Sequence, residues 1–222
     1  MLSKAEKSFA AIFVIIVIAE LICDNVQSLN AFHYITKPLI LIALLIFFWK
    51  HSRHLETKTK QFTILALVFS LLGDVFLMFV DAYSNFFIIG LVSFLLAHIF
   101  YVFVFLKKKN SANNALPFLI VLLLYAFAIF YFLKDGLGDL FIPVIVYMFV
   151  ILLMGIMAYL RRGSVPENSF ILVFLGALFF ITSDSLLALN KFYQPLPLSS
   201  LSIITTYSIA QLCIVFGIKK QL

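Results

Sequence analysis

Long apolar segments separated by short polar breaks dominate the hydropathy pattern of this 222-residue chain. A helix that crosses the hydrocarbon core of a bilayer needs about 20 mostly apolar residues. Eight segments reach this length, some with their flanking residues included: 8–24, 34–49, 62–80, 85–106, 116–133, 140–160, 168–189 and 199–218. The breaks carry charged and turn residues, as in KHSRHLETKTK and RRGSVPEN, and none is long enough to form a domain. The pattern predicts an all-α, polytopic membrane bundle of eight transmembrane helices that forms a single domain over residues 1–222.

The composition supports the same class of protein. Hydrophobic residues make up 64% of the chain and charged residues 12%, whereas soluble domains are about half apolar and a quarter charged. Cys23 and Cys213 both lie in apolar segments, which indicates neither a disulfide framework nor a thiolate metal site. The first apolar segment resembles a signal peptide, but Glu20 and Asp24 stand where a small-residue cleavage site would lie. We therefore expect a retained first helix.

Basic residues are distributed unevenly between the two predicted sides of the membrane. With a cytoplasmic N-terminus, all but three of the 16 Lys and Arg residues fall on the cytoplasmic side. The three exceptions are Lys37, Lys134 and Lys191. This bias predicts that both termini are cytoplasmic, and we expect a multi-pass protein of a bacterial inner (cytoplasmic) membrane. The net charge of +6 then reflects topology and contact with the lipid bilayer, and no nucleic acid partner is predicted.

Two aspartates occupy corresponding positions in similar apolar segments. FSLLGDVFLM (69–78) and FFITSDSLLA (179–188) each carry an aromatic residue, a short apolar step, a small residue, Asp and a Leu-containing run. Asp74 and Asp184 fall on the third and seventh predicted helices, which run in the same direction, and both lie beyond the midplane towards the outer face. This similarity suggests two parallel four-helix halves, residues 1–110 and 111–222.

An aspartate inside a membrane helix needs a reason. An ionised carboxylate at the helix centre costs roughly 2.5–3.5 kcal/mol, and such groups usually mark functional sites. The structural alternative is that each aspartate pairs with a buried Lys, Tyr or His. Two acids in one bundle can instead divide the roles of proton donor and base. We predict that Asp74 and Asp184 are catalytic, with the assignment of acid and base left open.

Further polar residues occur at compatible depths in the predicted helices, and several pairs share a helix face. We predict that eight of them support the site or bind substrate: Glu20, Asp24, Lys37, His98, Tyr101, Lys191, Tyr207 and Gln211. Each also has an ordinary explanation as an interfacial residue or a hydrogen-bond partner between helices. Pro38, after Lys37, suits the start of the second helix at the outer interface. The spacing of the histidines predicts no metal site, and no cofactor is predicted.

Several of these segments together resemble a known family. SLLGDVFLM, GLVSFLLAHIFYVF, ITSDSLLALNKF and the TKPL of residues 36–39 look like the YhhN-type lysoplasmalogenase family, and the resemblance covers nearly the whole chain. It implies an integral membrane hydrolase that cleaves the vinyl ether bond of lysoplasmalogens. The products would be a fatty aldehyde and glycerophosphoethanolamine or glycerophosphocholine. In that reaction Asp74 and Asp184 would be the acid and the base, and His98 and Tyr101 would position water.

Two carboxyl groups suit this chemistry. A vinyl ether hydrolyses by protonation of its β-carbon, and water captures the resulting oxocarbenium ion; glycosidases handle a related cation with two carboxyl groups. We expect Lys37 and Lys191 to hold the phosphate of the lysophospholipid substrate at the outer interface. Two other functions remain open: a proton-coupled transporter of small molecules or lipids that uses the same acids, and a non-catalytic lipid-binding scaffold.

Overall fold

Eight long α-helices make up the fold in the computed structural model, which describes residues 3–221. The helices are α1 (Lys4–Asn25), α2 (Asn30–His51), α3 (Thr57–Met78), α4 (Asn85–Leu106), α5 (Leu116–Leu133), α6 (Phe141–Tyr159), α7 (Glu167–Phe192) and α8 (Ser199–Lys219). Between residues 3 and 221 there is no strand. All eight helices are long and apolar enough to cross a membrane. The prediction of an all-α polytopic membrane bundle is therefore confirmed.

The helix bounds agree with the sequence for α4 and α5 and differ elsewhere, chiefly because polar first turns lengthen the helices. α3 begins at Thr57 instead of residue 62, since Lys58 and Lys60 are good helix formers. α2 begins at Asn30, so the prediction that Pro38 starts this helix is wrong. Lys37 accordingly lies about two turns inside α2 and not at its first residue.

The helices pack unevenly in the bundle. α3 packs most extensively against α4, and α7 against α8. These pairs occupy corresponding places in the two predicted halves, and so do α2 with α3 and α6 with α7, which pack to a similar extent. The first pair of each half differs. α1 packs closely against α2, whereas α5 makes only sparse contacts with α6 and α7. The division into residues 1–110 and 111–222 stays a prediction.

Both ends of the described chain meet at one end of the bundle. Buried Glu6 of α1 forms ion pairs with Lys219, the last residue of α8, at 3.0 Å and with Lys220, which follows it, at 2.9 Å. His54, in the connection between α2 and α3, contacts the carbonyl oxygen of Lys219. We call this the inner end and the opposite one the outer end. That the inner end is cytoplasmic remains the prediction from the basic residues.

Arg161 lies fully buried at the inner end, just after α6. Its guanidinium donates hydrogen bonds to Ser169 and Gln221 and lies 5.5 Å from the ring centre of Phe105. Burial lowers the pKa of Arg161 to about 9. The side chain therefore still carries its charge at neutral pH, and it joins the start of α7 to the end of the chain.

Gly217 allows α8 to approach α7 closely at the inner end. A methyl group added there would lie 2.6 Å from Val173 Cγ2 and 2.8 Å from the backbone nitrogen of Val173. Because a backbone atom cannot yield as a side chain can, we expect Gly217→Ala to destabilise the protein by about 1–3 kcal/mol, measured as a lower Tm in detergent. Gly155→Ala is the matched control, since its methyl would first meet the flexible Cδ1 of Ile181. Equal Tm values for the two variants would contradict the prediction.

Candidate functional site

Asp74 and Asp184 occupy equivalent places in their helices. Each lies 17 residues after the first residue of its helix, which is Thr57 in α3 and Glu167 in α7. At 1.5 Å per residue this is about 26 Å along each helix. Both aspartates therefore lie towards the outer end of the bundle, as the sequence indicates.

Asp74 is enclosed by protein and held by a tyrosine of α8. Its side chain is 4% exposed, and its Oδ2 accepts a hydrogen bond of 2.9 Å from the hydroxyl of Tyr207. The Tyr207 ring packs edge-on against Phe94 and Phe180, which fixes its orientation. The structure thus brings Tyr207, one of the predicted supporting residues, into direct contact with a predicted catalytic acid.

Asp184 has a different tyrosine partner. Its Oδ2 accepts a hydrogen bond from the hydroxyl of Tyr147 in α6, and His98 Nε2 lies 3.7 Å from the same oxygen. That separation exceeds a hydrogen bond, but one water molecule can connect two such groups. His98 is fully buried, with its ring edge-on to Tyr147 and Phe180.

Tyr147 is the site residue that the sequence analysis missed. It is the single hydroxyl-bearing side chain in the middle of an otherwise apolar helix, FIPVIVYMFVILLMGIMAY. A tyrosine so placed needs a buried partner for its hydroxyl, because no water is available inside the bilayer. That requirement was a usable signal in the sequence.

One aromatic ring connects the surroundings of the two aspartates. The Phe180 ring packs edge-on against both Tyr207, the partner of Asp74, and His98, which lies beside Asp184. Each carboxyl group thus keeps its own tyrosine, while an aromatic wall connects their surroundings. Such an arrangement gives two acids different environments within a single enclosed region, which is what separate acid and base roles require.

A buried polar chain lies one turn further towards the inner end. The hydroxyl of Tyr101 donates to Gln211 Oε1 at 2.6 Å, and Gln211 Nε2 donates to Ser70 Oγ at 3.0 Å. Ser70 stands one helical turn before Asp74 on α3. Tyr101 and Gln211, both predicted as supporting residues, therefore pair with each other beneath the aspartates, and their hydrogen bonds go to neither of them.

An apolar pocket opens beside Asp184. It lies among α4, α5, α6 and α7, with Leu77 of α3 also in its lining, and its polar lining consists of Asp184, Tyr147, Tyr125 and Ser185. Asp74 is not part of the lining. The two acids thus differ in access, since Asp184 is 15% exposed and faces the pocket.

Glu20 and Asp24 meet His33 near the outer end of α1 and α2. His33 Nδ1 lies 2.8 Å from Glu20 Oε1 and 3.2 Å from Asp24 Oδ1. The second oxygen of Glu20 accepts a hydrogen bond from Thr36 at 2.6 Å, and that of Asp24 accepts one from Ser200. The carboxylates are therefore built into a cluster and do not simply face water at the interface.

The two predicted phosphate-binding lysines stand beside different parts of the site. Lys37 is partly buried inside α2, one turn after His33. Lys191 is exposed, and its Nζ lies 5.3 Å from the ring centre of Phe87, which lines the pocket. Of the two lysines, Lys191 is therefore the one that lies against the wall of the pocket.

Comparison with known proteins found one family. The family model described as the YhhN family matches residues 32–218, which is most of the chain. The matched range contains Asp74, Tyr147, Asp184 and Tyr207 and begins after α1. Searches of curated proteins and of solved structures found no match.

Proposed function

Because the chain belongs to the YhhN family, which is known as lysoplasmalogenase-like, we propose that it hydrolyses the vinyl ether bond of lysoplasmalogens. The observation that carries this proposal is the pair of buried aspartates, each hydrogen-bonded to its own tyrosine, with Asp184 in the wall of an apolar pocket. The pocket suits an alkenyl chain, and the two carboxyl groups suit a reaction that passes through an oxocarbenium ion.

Asp184 is the acid in this scheme, because it is the aspartate that reaches the pocket. Its carboxyl proton forms the new C–H bond at the β-carbon with the electron pair of the carbon–carbon double bond. The positive charge then spreads over the α-carbon and the ether oxygen. Water adds to the α-carbon and loses a proton, and the resulting hemiacetal separates into a fatty aldehyde and the free hydroxyl of the glycerol.

Asp74 is the base and the stabiliser of the cation. It does not line the pocket itself, so in this scheme its negative charge favours the cationic intermediate through space. Tyr207 holds its orientation. Water that enters between the two carboxyl groups can pass a proton to Asp74, and His98 holds such a water next to Asp184.

The lysines accommodate the headgroup. Lys191, on the outer part of α7, lies against Phe87 of the pocket wall, so its positive charge stands where a lipid phosphate would lie when the alkenyl chain fills the pocket. Lys37, partly buried in the outer half of α2, offers a second positive charge.

The deciding experiment compares two lipids. Purified protein in detergent is incubated with an alkenyl lysophospholipid and with the ester lysophospholipid of equal chain length, and released aldehyde and fatty acid are measured. We expect aldehyde from the alkenyl lipid and no fatty acid from the ester. Absence of aldehyde across the tested pH range would refute the proposal. Proton-dependent flux in liposomes, with the lipid chemically unchanged, would instead identify a transporter.

Removal of the Tyr147 hydroxyl should impair catalysis while the bundle stays folded. Asp184 becomes a carboxylate as it gives up its proton, and a hydrogen bond to a charged group contributes about 1.5–3 kcal/mol. We therefore expect Tyr147→Phe to lower kcat about 10- to 100-fold. Tyr125→Phe is the matched control, because Tyr125 lines the same pocket and is a partner of neither aspartate. If both variants keep the same kcat, Tyr147 has no positioning role towards Asp184.

A further inference from the structure

We propose that Glu20, Asp24 and His33 bind a divalent transition metal ion, with Zn²⁺ as the best match, near the outer end of α1 and α2. This site goes beyond the hydrolysis proposed above, whose acid and base are Asp184 and Asp74. It also departs from the prediction of no metal, because the sequence does not show that the turn between α1 and α2 folds His33 back onto the two carboxylates.

The spacing of the ligand atoms suits one ion. His33 Nδ1, Glu20 Oε1 and Asp24 Oδ1 all lie within 4.8 Å of one another, and the two distances from His33 are 2.8 and 3.2 Å. An ion bound at 2.0–2.2 Å separates neighbouring ligand atoms by about 3.0–3.5 Å, depending on its coordination geometry. Small adjustments of the side chains therefore bring the three atoms to coordination distance.

Two hydroxyl groups orient the carboxylates towards that point. Thr36 donates to Glu20 Oε2, and Ser200 donates to Asp24 Oδ2. Each carboxylate thus uses one oxygen for a hydrogen bond and presents the other to His33. Hydroxyl groups that fix metal ligands in this manner are typical of the surroundings of metal sites.

The central atoms of the cluster lack hydrogen bonds. Glu20 is 0% exposed, yet its Oε1 has no hydrogen-bond partner among the described residues, and neither has His33 Nδ1. The two atoms are 2.8 Å apart, but they do not meet with the geometry of a hydrogen bond. A buried carboxylate oxygen needs a partner, and a cation between the two atoms would supply one for each.

The ligand types select the class of ion. A mixed set of imidazole and carboxylates suits Zn²⁺ and its neighbours, whereas Ca²⁺ and Mg²⁺ prefer oxygen ligands alone. Three protein ligands leave at least one position for water or a phosphate oxygen. Asp24 is 21% exposed and Glu20 is enclosed, so the free position lies on the Asp24 side.

The test measures metal binding without substrate. Tag-free, chelator-treated protein is titrated with ZnCl₂, bound zinc is counted by mass spectrometry, and affinity and Tm are measured. We expect one zinc per chain, a rise in Tm, and a loss of affinity of at least 10-fold in Asp24→Asn and in His33→Ala. Ser200→Ala should weaken binding about 10-fold through the orientation of Asp24. His54→Ala, at the inner end, is the matched control and should bind as the unmodified protein does.

Cobalt provides a second measurement that is independent of activity. Co²⁺ bound to the three ligands should give visible d–d absorption that is lost in Asp24→Asn, a conservative change at a partly exposed position. Substoichiometric zinc, or equal affinity in Asp24→Asn and His54→Ala, would overturn the proposal and leave a plain ion pair. Because no lipid is present, either outcome is independent of whether the protein hydrolyses vinyl ethers.

Discussion

Asp184→Asn should reduce aldehyde release from an alkenyl lysophospholipid by roughly 10²- to 10⁴-fold, the range that a general acid contributes. The amide cannot give the proton that forms the C–H bond at the β-carbon. The substitution keeps the size of the side chain, and the hydroxyl of Tyr147 can still donate to the amide oxygen. We therefore expect the loss in kcat, with a near-normal KM and Tm.

Two other aspartates complete this test, one as a control and one as a second catalytic residue. Asp139→Asn removes an exposed carboxylate from the connection between α5 and α6, and activity should not change. Asp74→Asn should also lower kcat, because it removes the base and the charge that faces the cation. If Asp184→Asn is folded and retains more than a tenth of the normal kcat, Asp184 is not the acid.

Ala126→Phe should block the pocket and lower kcat/KM for long alkenyl chains about 10- to 100-fold. Ala126 lines the pocket. A phenyl ring placed where the alkenyl chain would lie costs about 1–3 kcal/mol of binding free energy through overpacking. Alkenyl chains that end before this point should be affected far less, so the ratio of the two kcat/KM values reports where the chain lies. The assay uses two alkenyl lysophospholipids that differ only in chain length.

Ala128→Phe is the matched control on the same helix. Ala128 is exposed on the outward face of α5, and a phenyl ring there would enter lipid and leave the pocket unchanged. Ala188→Phe, on well-packed α7, repeats the block from the opposite wall. An equal loss for short and long chains in both pocket variants would show that the alkenyl chain binds elsewhere.

The features that could be predicted from the sequence are those that a lipid environment requires. Eight apolar segments of membrane length gave eight helices, because a chain inside a bilayer must satisfy its backbone hydrogen bonds locally. The free-energy cost of placing a charged group inside a bilayer likewise identifies Asp74 and Asp184, because they are carboxyl groups within otherwise apolar segments. In the structure each of them is hydrogen-bonded to a tyrosine of another helix.

Contacts between distant helices were beyond the reach of the sequence. Tyr147 and Asp184 are 37 residues apart, and only the packing of α6 against α7 brings them together. Hydropathy does not determine how far each helix rotates about its axis. For the same reason Tyr101 is directed to Gln211, 110 residues away, although it shares a helix face with His98.

The turn between α1 and α2 accounts for the other differences. A short 3₁₀ turn at Gln27–Leu29 precedes α2 and returns the chain sharply, so α2 starts at Asn30 and places His33 opposite α1. Proline is common at helix starts, so Pro38 indicated that α2 begins later than it does. The two turns added before Pro38 bring His33 to Glu20 and Asp24 of α1.

The sparse packing of α5 bears on how a lipid substrate would reach the pocket. This helix forms one wall of the pocket, yet it has few contacts with α6 and α7, and few of its residues are buried. A wall held this weakly is the one that separates most easily. For the proposed reaction we therefore expect the substrate to enter sideways from the membrane, past α5. The rate would then follow the mole fraction of substrate in the bilayer and not its concentration in the surrounding water.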